Sequence, residues 1–132
     1  MGHLTTKCLL AAAFLLLAGK SAFAEVKNVP AGRTSAVASF SLFDPRNCAH
    51  GPKPKVTFKQ PEHGMLSAKW LSAKSNQSGM CNSKTMKFYM IYYQPKAGYR
   101  GPDKGAVSFF YPTYVNGSPD RANHQKLDIL VK

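Results

Sequence analysis

Beyond residue 24, apolar and polar positions alternate over short stretches, and no stretch carries the three-and-four spacing of an amphipathic helix. Residues 33–43 (RTSAVASFSLF) place Ala36, Ala38, Phe40 and Leu42 on one side. Residues 55–60 (KVTFKQ) place Val56 and Phe58 together, and residues 65–71 do the same with Leu66, Ala68 and Trp70. Residues 85–94 (TMKFYMIYYQ) are apolar on both sides, the mark of a central strand. Further strands are predicted over 105–111 and over 126–131, the last with Leu127, Ile129 and Val131 inward. Turn-forming segments separate them: Pro61-Glu-His-Gly64, the polar stretch 72–83, the Gly/Pro stretch 95–104, and Asn116-Gly117. About six or seven short strands so spaced predict an all-β fold, an antiparallel β-sandwich in one domain over 33–132. Residues 25–32 read as a flexible lead-in.

The first 24 residues follow a different pattern. After Lys7 comes an unbroken apolar stretch from Cys8 to Ala18, then Gly19-Lys20-Ser21 and Ala22-Phe23-Ala24. The stretch is too short for a bilayer, which needs about 20 residues, and has no polar face. A basic start, a short apolar core and small residues before the break are the features of a signal peptide cleaved after Ala24. Cys8 sits at the start of the apolar stretch, where a lipoprotein cysteine would not. The expectation is a periplasmic or secreted protein with no transmembrane segment in its mature form.

Removal of the leader alters two counts. Of three cysteines, Cys48 and Cys81 remain, and an even pair in an oxidising compartment reads as one disulfide rather than two buried thiols. The formal charge of +12, from 18 Lys and Arg against 6 Asp and Glu, falls to about +10 once Lys7 and Lys20 leave. Such a charge attracts polyanions and anionic surfaces, and the attraction weakens with salt. The basic residues are scattered, with no run that marks a basic tail.

Two stretches carry a family pattern. The first is Val56-Thr-Phe-Lys-Gln-Pro61-Glu-His63-Gly64, followed by Met65-Leu66. The second is Tyr92-Tyr93-Gln-Pro95-Lys-Ala-Gly98-Tyr99-Arg-Gly101-Pro-Asp103. In this order they resemble the "Pro-x-His-Gly" and "Tyr-x-Pro, Gly-Tyr-x-Gly-x-Asp" signatures of bacterial immunoglobulin-like and cadherin-like modules. The resemblance covers about residues 56–131 and implies an immunoglobulin-like β-sandwich. It also implies structural roles. Pro61 ends a strand, Gly64 permits the reversal, and Gly98 and Gly101 supply unusual backbone angles. Tyr99 forms a tyrosine corner, and Asp103 caps the turn before the next strand. The chain departs from the family in the residues between Asp103 and Phe109-Phe110-Tyr111, and in its cysteine pair. Cadherin-like calcium binding is not carried over, because acidic ligands at calcium spacing are missing.

Candidate chemistry is sparse. His50, His63 and His124 with Met65, Met80, Met86 and Met90 are the residue types of exported copper carriers, with His50, His63 and Met65 the best candidate set. They lack the close His-x-His or Met-x-x-Met spacing of such sites. No serine stands in a nucleophile elbow and the six acidic residues are far apart, so no catalytic residues and no cofactor are assigned. The aromatics of 88–93, with Tyr99, Phe109, Phe110, Tyr111 and Tyr114, exceed what one core face needs. With Lys84, Lys87, Lys96 and Arg100 among them, they define a candidate basic-aromatic binding surface. The expected function is that of a non-catalytic binding or envelope-associated protein. Its expected partner is an anionic envelope component or another exported protein, with no specific nucleic acid. A copper carrier, or an inhibitor or accessory subunit of an exported enzyme, is the alternative.

Overall fold

The computed structural model describes residues 25–44, 46–75, 81–113 and 117–132. They form seven strands: β1 Val26–Val29, β2 Ser35–Phe40, β3 Lys55–Lys59, β4 Gly64–Lys74, β5 Thr85–Pro95, β6 Gly101–Tyr111 and β7 Arg121–Val131. Four of them make one sheet in the order β1-β7-β6-β3, and three make a second in the order β2-β5-β4. Among the described residues the fold is all-β, with two sheets and one disulfide between Cys48 and Cys81.

Alternation along each strand builds the core. Tyr89, Ile91 and Tyr93 of β5 are buried, as are Val107 and Phe109 of β6 and Leu127, Ile129 and Val131 of β7. Val37 and Leu66 complete the contribution of the smaller sheet, and Val29 that of β1. Val56, Phe58, Ala68 and Trp70 pack against this cluster on the faces the alternation predicts. Near the end where β2 stops and β5 starts the core turns aromatic. Phe40 stacks on Phe109 at 4.3 Å, and Tyr89 lies 4.8 Å from Trp70 and 5.8 Å from Phe109. The hydroxyl that Tyr89 carries into this region donates to the Pro54 carbonyl at 2.8 Å, so its burial leaves no unpaired donor.

Several expectations need correction. The lead-in over 25–32 is not loose: Val26–Val29 is a strand that pairs parallel with β7, Val26 opposite Asp128 and Val29 opposite Val131. Two valines in four residues are too short a pattern to read without the partner strand. Every described strand pair but this one is antiparallel. In β2 the expected face of Ala36, Ala38, Phe40 and Leu42 is broken by a bulge between Ala36 and Ala38. Val37 is the buried residue and Ala36 is exposed, because an extra residue shifts the alternation by one. Strands β4, β6 and β7 also run longer than predicted. Their extra residues are small or polar, apart from Pro102, and hold their place through the ladder, Lys74 opposite Thr85 and Tyr111 opposite Arg121.

The disulfide joins the β2–β3 connection to the turn before β5, with Cα atoms 5.4 Å apart. It staples loops at one end of the two sheets and lies outside the main core cluster. The Phe43–His50 bridge and the hydrogen bond from Cys48 N–H to the Asp44 carbonyl, at 2.7 Å, shape the same connection.

Candidate functional site

The residues that carry the family resemblance gather at the opposite end, around Asp103. This aspartate is 5% exposed and lies within β6, inside the strand rather than in the turn before it. Its Oδ2 accepts from the Tyr93 hydroxyl at 2.6 Å and from the His63 N–H at 3.2 Å, while its Oδ1 accepts from the Lys104 N–H at 3.0 Å. Tyr93 belongs to the other sheet, so one carboxylate links β5, β6 and the β3–β4 turn. Burial first, and then the Asp103 hydrogen bond, raise the ionisation of the Tyr93 hydroxyl well above the usual tyrosine range. Gly64 is required beside it: a Cβ there would stand 2.4 Å from the Tyr93 ring.

The rest of the turn closes over this core. Pro61 is buried, and the Lys96 N–H donates to the His63 carbonyl at 2.9 Å. The His63 ring stacks flat on Tyr99 at 4.0 Å, and the Tyr99 hydroxyl donates to the Pro102 carbonyl. Gly98 and Gly101 take φ of 78° and 130°, the left-handed region that the corner needs. Pro95, buried, ends β5 opposite Gly64. These eight motif residues and Tyr93 form a structural clasp, with Glu62, His63, Pro102 and Lys104 over its shallow outer mouth.

The basic residues picked out from sequence do not meet. Lys84 and Lys87 stand at the start of β5, whereas Lys96 and Arg100 lie in the loop beyond its end. About 30 Å of strand separates the two pairs. The copper candidates are divided in the same way: His50 lies at the disulfide end, and His63, stacked on Tyr99, at the clasp. Met65, 64% exposed, follows His63, while Met80 lies outside the described residues. Among the described residues no three His, Cys, Asp or Glu side chains cluster at metal-binding range.

A different basic cluster emerges on the outer face of the four-stranded sheet. Val56 and Phe58 point into the core, so Lys55, Thr57 and Lys59 between and beside them face out. On β6 the outward positions are Pro102, Lys104, Ala106, Ser108 and Phe110; on β7 they are Ala122, His124, Lys126, Asp128 and Leu130. Register aligns these strands in rows: Thr57, Ser108 and His124 in one, Lys59, Ala106 and Lys126 in the next. Ser108 Oγ lies 2.7 Å from His124 Nδ1, and the Phe110 ring meets the imidazole edge-on at 6.0 Å. Sequence reading missed this cluster because the four lysines lie on three strands. Only the inward burial of Val56, Phe58, Val107 and Leu127, all two-residue alternations, hinted that they share a face.

The outer face of the smaller sheet differs in kind. Met86, Phe88, Met90 and Tyr92 form its central stripe, flanked by Leu71 and Ala73 on β4 and by Ser39, Ser41 and Phe43. The aromatics of 88–93 thus divide between the two faces of β5, with Tyr89 and Tyr93 inside and Phe88 and Tyr92 outside. Lys69 Nζ sits 5.2 Å from the centre of the Tyr92 ring. Tyr114 lies outside the described residues.

No family model matches the chain, and no curated protein matches it. A solved structure, the solution structure of amebosin, aligns over 81% of this chain and 88% of its own, at 13% identity and a TM-score of 0.42. A likeness of that strength carries no argument for fold family or function.

Proposed function

We propose that the protein is an exported, non-catalytic binding domain of immunoglobulin-like fold whose partner is an anionic component of the cell envelope. One observation carries this reading: the positive charge is almost wholly on the surface and little of it is compensated. Every lysine and arginine after the leader is exposed except Lys27, which is half-buried. Among the described residues, Lys27–Glu25 and Arg46–Asp44 are the ion pairs that engage them. Asp103 is buried in the clasp, and Asp120 is held by the N–H and hydroxyl of Thr113. The remaining cations face solvent and project a field of one sign.

The strand order supports the immunoglobulin-like part. Taking β2 to β7 as strands B to G, the sheets hold B-E-D and C-F-G, the partition of that fold. Tyr99, tied to backbone at the E–F corner, is a second point of likeness. The fold's inter-sheet disulfide is replaced here by one between loops. Export is supported by that disulfide and by the leader pattern, which lies outside the described residues.

The test is retention on an anionic matrix and on envelope fractions as ionic strength rises. Binding should fall steeply between low and physiological salt, as a field screened over about 8–10 Å requires. Retention indifferent to salt, or none at any salt, would sink the reading.

A further inference from the structure

We infer that the outer face of the four-stranded sheet is the docking site, and that it takes an acidic polysaccharide. This rests on the binding function proposed above and gives it a place and a ligand class. Three features of the face converge. The first is charge: Lys55, Lys59, Lys104 and Lys126 are exposed and surround a middle of small or neutral residues, Thr57, Ala106 and Ser108. Lys59 and Lys126 flank Ala106 across two strand spacings, about 10 Å, and Lys55 and Lys59 lie about 13 Å apart along β3. Asp128, the one carboxylate on these outward positions, lies between Val26 of β1 and Lys104 of β6 and offsets part of that lysine's charge, leaving Lys55, Lys59 and Lys126 without an opposite carboxylate in their rows. Charges so spaced on an open sheet fit successive anionic groups of an extended chain better than a single small anion, which a pocket would enclose.

The second feature is the row between the charges. Thr57 and Ser108 offer hydroxyls and His124 an imidazole, groups that both donate and accept and so match the hydroxyls of a sugar. The Ser108–His124 hydrogen bond fixes their relative orientation. The third is Phe110, half-buried at the edge of this row and held edge-on to His124, leaving an aromatic surface for the apolar side of a sugar ring. Ala106 and Ala122 let a chain approach the backbone closely. A nucleic acid would share the charge term, but base stacking uses successive aromatic platforms, and this row offers one. The smaller sheet carries Lys69, Lys74 and Lys87 too, yet its outward stripe is Met86, Phe88, Met90 and Tyr92, without the hydroxyl and imidazole row.

The experiment compares two charge-matched variants of the purified protein: K55Q/K59Q/K104Q/K126Q on the proposed face, and K69Q/K74Q/K84Q/K87Q elsewhere. Binding to polygalacturonate, to neutral dextran and to single-stranded DNA is measured by titration at several salt concentrations. The face variant should lose about tenfold or more in affinity for polygalacturonate and show a shallower salt dependence, the other variant less than about twofold. T57V/S108A should weaken polygalacturonate binding severalfold with the salt slope unchanged. Equal losses in the two lysine variants would overturn the inference, because they would mean diffuse attraction by net charge, while leaving the binding function standing. Tighter binding to DNA than to polygalacturonate at matched salt, with the face variant weakening both, would overturn the polysaccharide assignment. Absence of any polyanion binding by the parent protein would instead overturn the function on which the inference rests. Circular dichroism and melting temperature establish that each variant is folded before its affinity counts.

Discussion

At the scale of single residues, Asp103 sets the strictest conditions. A carboxylate 5% exposed is tolerable only with hydrogen bonds, and it has them from Tyr93, His63 and Lys104. Replacing Tyr93 by Phe leaves one buried oxygen short of a strong donor and should cost about 1–3 kcal/mol in chemical unfolding. Alkaline pH offers a second check. Unfolded tyrosine ionises near pH 10, whereas Tyr93 in the folded protein holds its proton beyond that range. Its contribution is complete below about pH 10 and declines as pH rises further, because the unfolded chain then loses a proton that the native state retains. The Y93F variant should lose less stability than the parent between about pH 10 and 12; equal slopes would assign the loss to other groups. Of this clasp, the turn roles of Pro61 and Gly64 and the backbone tie of Tyr99 were legible in the sequence. The Tyr93–Asp103 bond was not, since neither partner differs locally from a residue of an ordinary strand. A hydrophobic period says that Tyr93 points inward, but not what its hydroxyl meets.

At the scale of elements, legibility followed burial. β5, with a buried face and a long pattern, was predicted within one residue at each end. The polar ends of β4 and β7 were missed because their place depends on the neighbouring strand, Ser72 on Lys87 and Asn123 on Phe109, rather than on their own composition. The bulge in β2 was invisible for the same reason: an extra residue is defined only against a partner. Gly64 ties one of these elements to the next, and G64A should force Tyr93 or the turn to move, lowering the melting temperature far more than an alanine at the open Gly32 position. That site has φ of 71°, so G32A carries its own backbone strain, about 1 kcal/mol. The disulfide acts on the loops at the other end. Reducing it, or replacing both cysteines by serine, should lower the unfolding free energy by ~3–4 kcal/mol, measured by denaturant titration with and without reductant.

At the scale of the whole molecule, charge is distributed by sheet. Residues 64–102, which include β4 and β5, contain no acidic residue, and neither does β2. Composition told of excess charge, but sorting it into faces needed the register, which is why four lysines on three strands escaped notice. If the leader is cleaved as proposed, amino-terminal sequencing of the exported protein should begin Glu25-Val26-Lys27; a start elsewhere would contradict the assignment. The parallel pairing of β1 with β7 has a consequence in time. Val26–Val29 is made about 100 residues before its partner Asp128–Val131, and the Lys132 N–H donates to the Val29 carbonyl. Until then β1 has nowhere to pair, and β6 lacks the neighbour that separates it from β1. Contacts so distant in sequence close slowly, on the millisecond-to-second scale of proteins dominated by non-local strand pairing. A nascent chain of this order holds β1 unpaired until β7 has been made, and its four-stranded sheet closes only then.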